Sequence, residues 1–159
     1  MTDDHELSHL RGDGAVHMVD VSAKAVTART AVAEGYVETT AEVMQLLTQG
    51  ELPKGEALGV ARVAGILGAK ATATLIPLCH PLAIEGIDID LEPHQSRLRI
   101  EARVRTSGRT GVEMEALTAV SVAALTVYDM IKAVDREAIV TDIRVLAKAG
   151  GRRGSWSNR

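Results

Sequence analysis

The clearest pattern in the chain lies between Ile87 and Val104. Ile87, Ile89 and Leu91 alternate with Asp88, Asp90 and Glu92; after the turn PHQS, Leu98, Ile100, Ala102 and Val104 alternate with Arg97, Arg99, Glu101 and Arg103. A period of two on both arms predicts a β-hairpin with one buried and one wet face. Upstream, AVHMVDVSAKAVTARTAVAEGYVET reads as extended segments rich in β-favouring valine and threonine. Thr39 and Glu42 then have the spacing of a capping box for the short helix AEVMQLLTQ, which Gly50 should stop.

After the breaker LPKG, the stretch GEALGVARVAGILGAKATATLI resumes helical character. Its Gly59, Gly65 and Gly68 each cost roughly 1 kcal/mol against alanine in a helix, so close backbone packing is the expected compensation. Beyond the hairpin, the glycine-rich loop TSGRTG leads into the long helix VEMEALTAVSVAALTVYDMIKAVD, and AIVTDIRVLAKA supplies a last strand. Strand, helix, hairpin, helix, strand is the order of a split βαβ unit. The expected fold is therefore α+β, a ferredoxin-like antiparallel sheet with helices packed on one face.

Composition narrows the function classes. The 159 residues suit one domain, expected over residues 15–150, between a flexible N-terminus (1–14) and a flexible basic tail (151–159). Aromatic residues make up 2 % and phenylalanine is absent, so base stacking on a nucleic acid is nearly excluded. A net charge of −3 argues against a general nucleic-acid or membrane-surface binder. The polar start MTDDHELSHLRGDG lacks an apolar leader region, and no apolar run is expected to approach the ~20 residues of a spanning helix. A soluble cytoplasmic protein is expected. The single cysteine, Cys79, cannot form an internal disulfide, and the five histidines lack ligand spacing, so no metal site is expected.

Two places carry candidate chemistry. On the long helix, Glu115, Thr118, Ser121, Thr126, Asp129 and Lys132 fall within an arc of about 140° at 100° per residue. Asp129 and Lys132 stand three apart, the spacing of an ordinary surface ion pair; a carboxylate and an amine in semi-apolar company also have the shiftable pKa values that acid/base work needs. Glu115 and Asp129 lie ~21 Å apart along one helix. They serve different ends of a large ligand, or the site lies between subunits.

The second place is LIPLCHPL, residues 75–82. Proline restrains the residue before it, so Pro77 and Pro81 should hold Ile76 and His80 extended. Neighbours in an extended run point to opposite sides, which speaks against a thiol–imidazole dyad of Cys79 and His80. A rigid rim whose backbone reads a ligand edge while His80 exchanges a proton is the functional alternative to a core histidine with a satisfied hydrogen bond.

The stretches MVDVSAK, PKG, ARVAGI, IPLCHPL, TGVEMEALTAVSVAALTVYDM and LAKAGG, in this order, resemble the molybdenum cofactor biosynthesis protein C family from about Leu7 to Trp156. The resemblance implies an enzyme that follows a radical S-adenosylmethionine partner and converts 3′,8-cyclo-7,8-dihydro-GTP into cyclic pyranopterin monophosphate, releasing pyrophosphate. It also implies a homohexamer, a trimer of dimers with active sites between subunits. Leu78, Cys79 and His80 match one substrate-binding segment, and Met114 and Glu115 a second. Asp129 matches the catalytic acid/base, and Lys54, Lys132 and Lys148 match pocket lysines. Asp20, Arg29 and Glu113 are further matches. No cofactor is implied beyond Mg²⁺ that the substrate phosphates could bring. A ligand-sensing regulatory domain and another pterin or purine lyase are the alternatives to this activity; an RNA-binding module is disfavoured by the missing aromatics.

Overall fold

Strand β1 (Thr27–Glu38) runs through the middle of an antiparallel sheet, and every other element is placed by it. The computed structural model describes residues 12–151 and 154–158. After β1 come helices α1 (Ala41–Gln49), α2 (Ala57–Lys70) and the single turn α3 (Thr72–Leu75), then the hairpin β2 (Ile84–Pro93) and β3 (Arg97–Gly108). Helix α4 (Glu113–Ile131), β4 (Ile139–Ala149) and the short β5 (Trp156–Ser157) complete the chain. The sheet order is β2-β3-β1-β4-β5. The α+β class expected from the pattern is thus present, with β1 paired to β3 on one side and to β4 on the other.

The register explains the alternation. Ala31, Ala33, Gly35 and Val37 of β1 pair with Val104, Ala102, Ile100 and Leu98 of β3, so these residues share the face that packs under the helices. The opposite face carries Val32, Glu34 and Tyr36 beside Arg103, Glu101 and Arg99. Glu34 is 3 % exposed there, because Arg99 and Arg144 both donate to its carboxylate at 2.8–3.0 Å and Tyr36 Oη donates at 3.3 Å.

Helix α4 fits against β1 because the strand carries Gly35, where a Cβ would lie 2.7 Å from Val120 Cγ1. Helix α2 fits against α4 in the same way. A Cβ on Gly65 would lie 2.9 Å from the Ala119 carbonyl oxygen, and one on Gly68 would lie 2.8 Å from Val122. Close packing therefore compensates those two glycines as expected. Gly59 differs: its N–H is used by the Glu56 carboxylate that caps α2, at 2.8–2.9 Å.

Several local expectations shift. Only residues from Thr27 onward form a strand in the region read as extended, because the preceding residues find no sheet partner beyond an isolated bridge at Val16. Thr40 rather than Thr39 caps α1, accepting from Val43 N–H at 3.2 Å, while Thr39 Oγ1 donates to Asp135. Gly50 ends the helix with φ 71°, as expected. Helix α4, at 19 residues with a mean hydropathy of 1.4, is long and apolar enough to cross a bilayer, against the expectation that no run comes near that length. Its Ala116, Ala119, Val120, Ala123, Ala124, Val127 and Ile131 are at most 1 % exposed, which is the position of a core helix. Residues 1–11 and Arg152 and Arg153 of the expected flexible ends lie outside the described residues, while Trp156 pairs with Lys148 across β4 and β5.

Candidate active site

One cavity of about 950 Å³ opens where the ends of several elements meet. The start of β1 contributes Thr27 and Arg29, and the end of β4 contributes Lys148, Gly150 and Gly151. The loop before α4 contributes Arg109, Thr110 and Gly111, and the first turn of α4 brings Glu113, Met114 and Glu115. Leu78, Cys79 and His80 form another wall, and the irregular segment 19–25 lies across it through Val19, Val21, Ala23, Lys24 and Ala25. Eight sequence candidates therefore come together: Arg29, Leu78, Cys79, His80, Glu113, Met114, Glu115 and Lys148.

The rim at residues 78–80 is stiff for a reason that revises the sequence reading. Ile76 is extended (φ −110°, ψ 108°) before Pro77, as expected. Pro77 and Leu78 then form a turn closed by Cys79 N–H on the Ile76 carbonyl at 3.1 Å. The segment is thus not one extended run, and a turn lets Cys79 and His80 line the same cavity. His80 Nε2 lies 2.8 Å from the Val19 carbonyl oxygen. A carbonyl only accepts, so Nε2 carries the hydrogen and Nδ1 is the nitrogen left for proton exchange. Burial, with the Glu115 charge adding to it, pushes the Cys79 thiol up, so Cys79 is a poor nucleophile.

The two carboxyls in the first turn of α4 have different surroundings. Glu113 Oε1 accepts from Lys148 Nζ at 2.7 Å and is a paired carboxylate. Glu115 is 4 % exposed and no cation pairs with it among the described residues. Burial, with Glu113 nearby, raises its pKa. A buried carboxyl with raised proton affinity is the kind of group that can hold a proton for transfer.

Three candidates stand elsewhere. Asp129, at the far end of α4, is gripped by Lys132 Nζ at 2.7 Å from Oδ1 and by Lys54 Nζ at 2.7 Å from Oδ2, with Lys54 also donating to the Asp129 carbonyl at 2.9 Å. Its side chain is 54 % exposed. Hydrogen bonds from Lys132 and then Lys54 lower its pKa to about 2. The semi-apolar surroundings expected for this residue are absent, because the polar arc opens to solvent at its C-terminal end. Within that arc Thr118, Ser121 and Thr126 donate to the carbonyls of Met114, Leu117 and Val122 at 2.7–2.8 Å, so these hydroxyls serve the helix itself.

Asp20 is beside the cavity without lining it. Its carboxylate accepts from Ser22 N–H at 2.8 Å, and that bond holds its pKa low. Sequence reasoning missed Lys24 and Arg109 as cavity residues. Both lie in stretches whose motifs were visible, MVDVSAK and TSGRTG, but nothing local tells that these loops meet.

The chain matches the MoaC family over residues 18–151. It is similar to the cyclic pyranopterin monophosphate synthase of Corynebacterium efficiens, with 63 % identity over 96 % of this chain and 98 % of the relative. It is 62 % identical to cyclic pyranopterin monophosphate synthase 2 of Mycobacterium bovis, over 97 % of this chain and 92 % of the relative. With the synthase of Nocardioides sp. it shares 62 % identity, over 95 % and 94 % of the two chains. A family match spanning the strand, hairpin and helix that build the cavity, together with relatives this similar along their whole length, establishes that the chain belongs to the MoaC family.

Proposed function

We propose that this chain is a cyclic pyranopterin monophosphate synthase, a lyase of molybdenum cofactor biosynthesis. Its substrate is 3′,8-cyclo-7,8-dihydro-GTP supplied by a radical S-adenosylmethionine enzyme, and its products are the cyclic pyranopterin and pyrophosphate. The observation that carries the reading is the cavity itself: a stiff rim, a buried protonatable carboxyl, a paired carboxylate and several cations converge in a volume suited to one nucleotide.

Rebuilding a guanine-derived ring into a pterin moves protons on and off nitrogen and oxygen. Glu115, held toward its neutral form by burial, supplies a proton donor, and His80 Nδ1 supplies an exchange site. Closing a cyclic phosphate with loss of pyrophosphate places negative charge on non-bridging oxygens, which cations must meet. Mg²⁺ enters this scheme only as a companion of the phosphates, and no resident cofactor is assigned.

The Lys54, Asp129 and Lys132 group lies ~21 Å from Glu115 along α4, too far to touch the same reacting atoms in one chain. We assign it to a site completed by a second copy, in a homohexamer arranged as a trimer of dimers on a ferredoxin-like subunit. What supports assembly is an apolar surface without a partner in the single chain: Val60, Val63 and Leu67 of α2 are 49–58 % exposed at helical spacing, and Leu125 of α4 is 61 % exposed. The proposed setting is cytoplasmic.

Incubation with the cyclised GTP derivative, following pterin absorbance and pyrophosphate together, tests the activity. Product from wild type and none from Asp129→Asn, with ligand binding kept, identifies an enzyme. Binding without product from either protein would instead identify a sensor.

A further inference from the structure

Segment 19–25 forms one side of the cavity without belonging to the sheet or to a helix. Val19, Val21, Ala23 and Ala25 reach the cavity at every second position and Lys24 joins them, while Asp20 and Ser22 lie outside its lining. An alternation of two is what a strand shows when one face packs. Yet this segment finds no sheet partner, because β1 begins to pair only at Thr27. Residues 22–25 are exposed, so the segment covers the cavity with little packed behind it.

The segment's own bonds are local. Lys24 N–H donates to the Val21 carbonyl at 3.0 Å and Ser22 N–H to Asp20 Oδ1 at 2.8 Å, and bonds of so short a span keep their geometry when the whole segment moves. Two side chains from elsewhere fasten it, one at each end. His80 Nε2 donates to the Val19 carbonyl at 2.8 Å, and Arg109 Nε donates to the Lys24 carbonyl at 3.0 Å. Both fasteners grip main-chain oxygens, and both stand in the cavity wall. Arg109 is itself steadied by Arg29 Nη2, which donates to the Arg109 carbonyl at 3.4 Å. An imidazole Nε2 keeps its hydrogen when Nδ1 gains a proton, so the hold of His80 on Val19 lasts through proton exchange at the other nitrogen.

In net terms one hydrogen bond shifts an equilibrium by about tenfold or less. Two such bonds hold a segment shut most of the time and still let it open often. A cover over a ligand cavity needs this balance, since an occupant must enter and water must be kept out while it reacts. We infer that residues 19–25 are a strap that swings off the mouth of the cavity and closes over its occupant, with His80 and Arg109 as the positioning residues that clasp it. The inference rests on the proposed function only in taking the occupant to be a nucleotide. It gives His80 a task at Nε2 that is separate from proton exchange at Nδ1.

The peptide bond between Lys24 and Ala25 reports the strap, because its carbonyl is the one that Arg109 holds and a protease must draw the chain into its own cleft before cutting. Full-length protein is digested with a lysine-specific endoprotease, and mass spectrometry follows cutting after Lys24 and after Lys54. Lys54 is also exposed but stands in the turn before α2, outside the cavity lining. The rate reads the open population when reclosing outpaces cutting. Arg109→Gln and His80→Ala should each be cut after Lys24 about threefold faster or more, at an unchanged rate after Lys54. His80→Gln, which keeps an N–H at the reach of Nε2, should return toward the wild-type rate. Millimolar GTP should slow the cut after Lys24 in wild type by about threefold or more. Equal rates after Lys24 in wild type, Arg109→Gln and His80→Ala overturn the inference. So does acceleration shared equally with Lys54, a His80→Gln protein cut as fast as His80→Ala, or a wild-type rate that GTP leaves unchanged. Turnover of the cyclised GTP derivative is measured separately. Product formation without the clasp effects defeats the strap alone, while clasp effects and GTP protection without product defeat the proposed activity and leave a strap over a nucleotide cavity.

Discussion

Glu115 and Asp129 lie on one face of α4, yet one is sealed at 4 % exposure in the cavity wall and the other presents a side chain that is 54 % exposed. At 1.5 Å per residue they are ~21 Å apart. If they act in one pocket contributed by two chains, Glu115→Gln and Asp129→Asn should each be nearly inactive and should complement after co-refolding in equal amounts. Random pairing makes about half of the dimers mixed, and in each mixed dimer one site collects neither defect, so about a quarter of all sites should recover. Mixed oligomers verified by mass that show no more activity than the separate variants would exclude a shared site.

The buried Glu115 should leave a mark on stability. Its folded pKa is raised above the ordinary 4.5. The stability it contributes is therefore complete below the unfolded value and is lost as pH rises through the folded value. Glu115→Gln is neutral throughout and lacks that loss. Urea unfolding of both proteins at a series of pH values above about 4.5 should show wild type declining relative to the variant. A constant difference between them would mean that Glu115 is not desolvated.

Asp129 should behave in the opposite sense. Its carboxyl should titrate at about 2 instead of 3.8, so its contribution is present above the ordinary value and lost as pH falls through about 2. Carboxyl carbon NMR of the free protein reads this midpoint. Lys132→Met should move it up further than Lys54→Met, since Lys132 is the larger cause. An unmoved midpoint in both variants contradicts the paired geometry.

Glu34 tests the face of the sheet away from the helices. Burial opposes its charge, yet hydrogen bonds from Arg144 and Arg99 leave its pKa lowered. Glu34→Gln should cost about 1.5–3 kcal/mol, the range for hydrogen bonds to charged groups. The loss stays below that of an isolated buried pair because Arg99 keeps Glu92 and Glu101, and Arg144 is 59 % exposed. Turnover per folded molecule should be unchanged. A variant with normal stability and lost turnover would place the site on the wrong face.

Gly65→Ala brings two terms into conflict. Helix propensity favours alanine by ~1 kcal/mol, but the added methyl would lie 2.9 Å from the Ala119 carbonyl oxygen and 2.5 Å from Ile89 Cδ1. Overpacking costs about 1–3 kcal/mol, so a lower denaturation midpoint is expected. A higher midpoint would show that α2 can move off α4.

What could be read from residues alone was whatever depends on neighbours within a few positions. Alternation in Ile87 to Leu91 and Leu98 to Val104 set the hairpin, because side-chain direction in a strand has a period of two whatever lies opposite. Gly50 marked the end of α1 for the same local reason, and the ~21 Å between Glu115 and Asp129 followed from helical rise before any packing was known. Even local reading slipped by one residue at Thr39 and Thr40, since both hydroxyls suit a cap and Asp135, 96 positions on, takes the first.

Tertiary structure decided everything that depends on which distant segments meet. Residues 76–79 close into a turn that brings Cys79 and His80 to one cavity, and the Val19 carbonyl selects the His80 tautomer. Asp129 is lowered first by Lys132, three positions along the chain, and then by Lys54, which reaches it from 75 residues away. Lys24 and Arg109 become neighbours across 85 positions. Charge states and binding corners are set by through-space distance and burial, which a one-dimensional pattern does not contain.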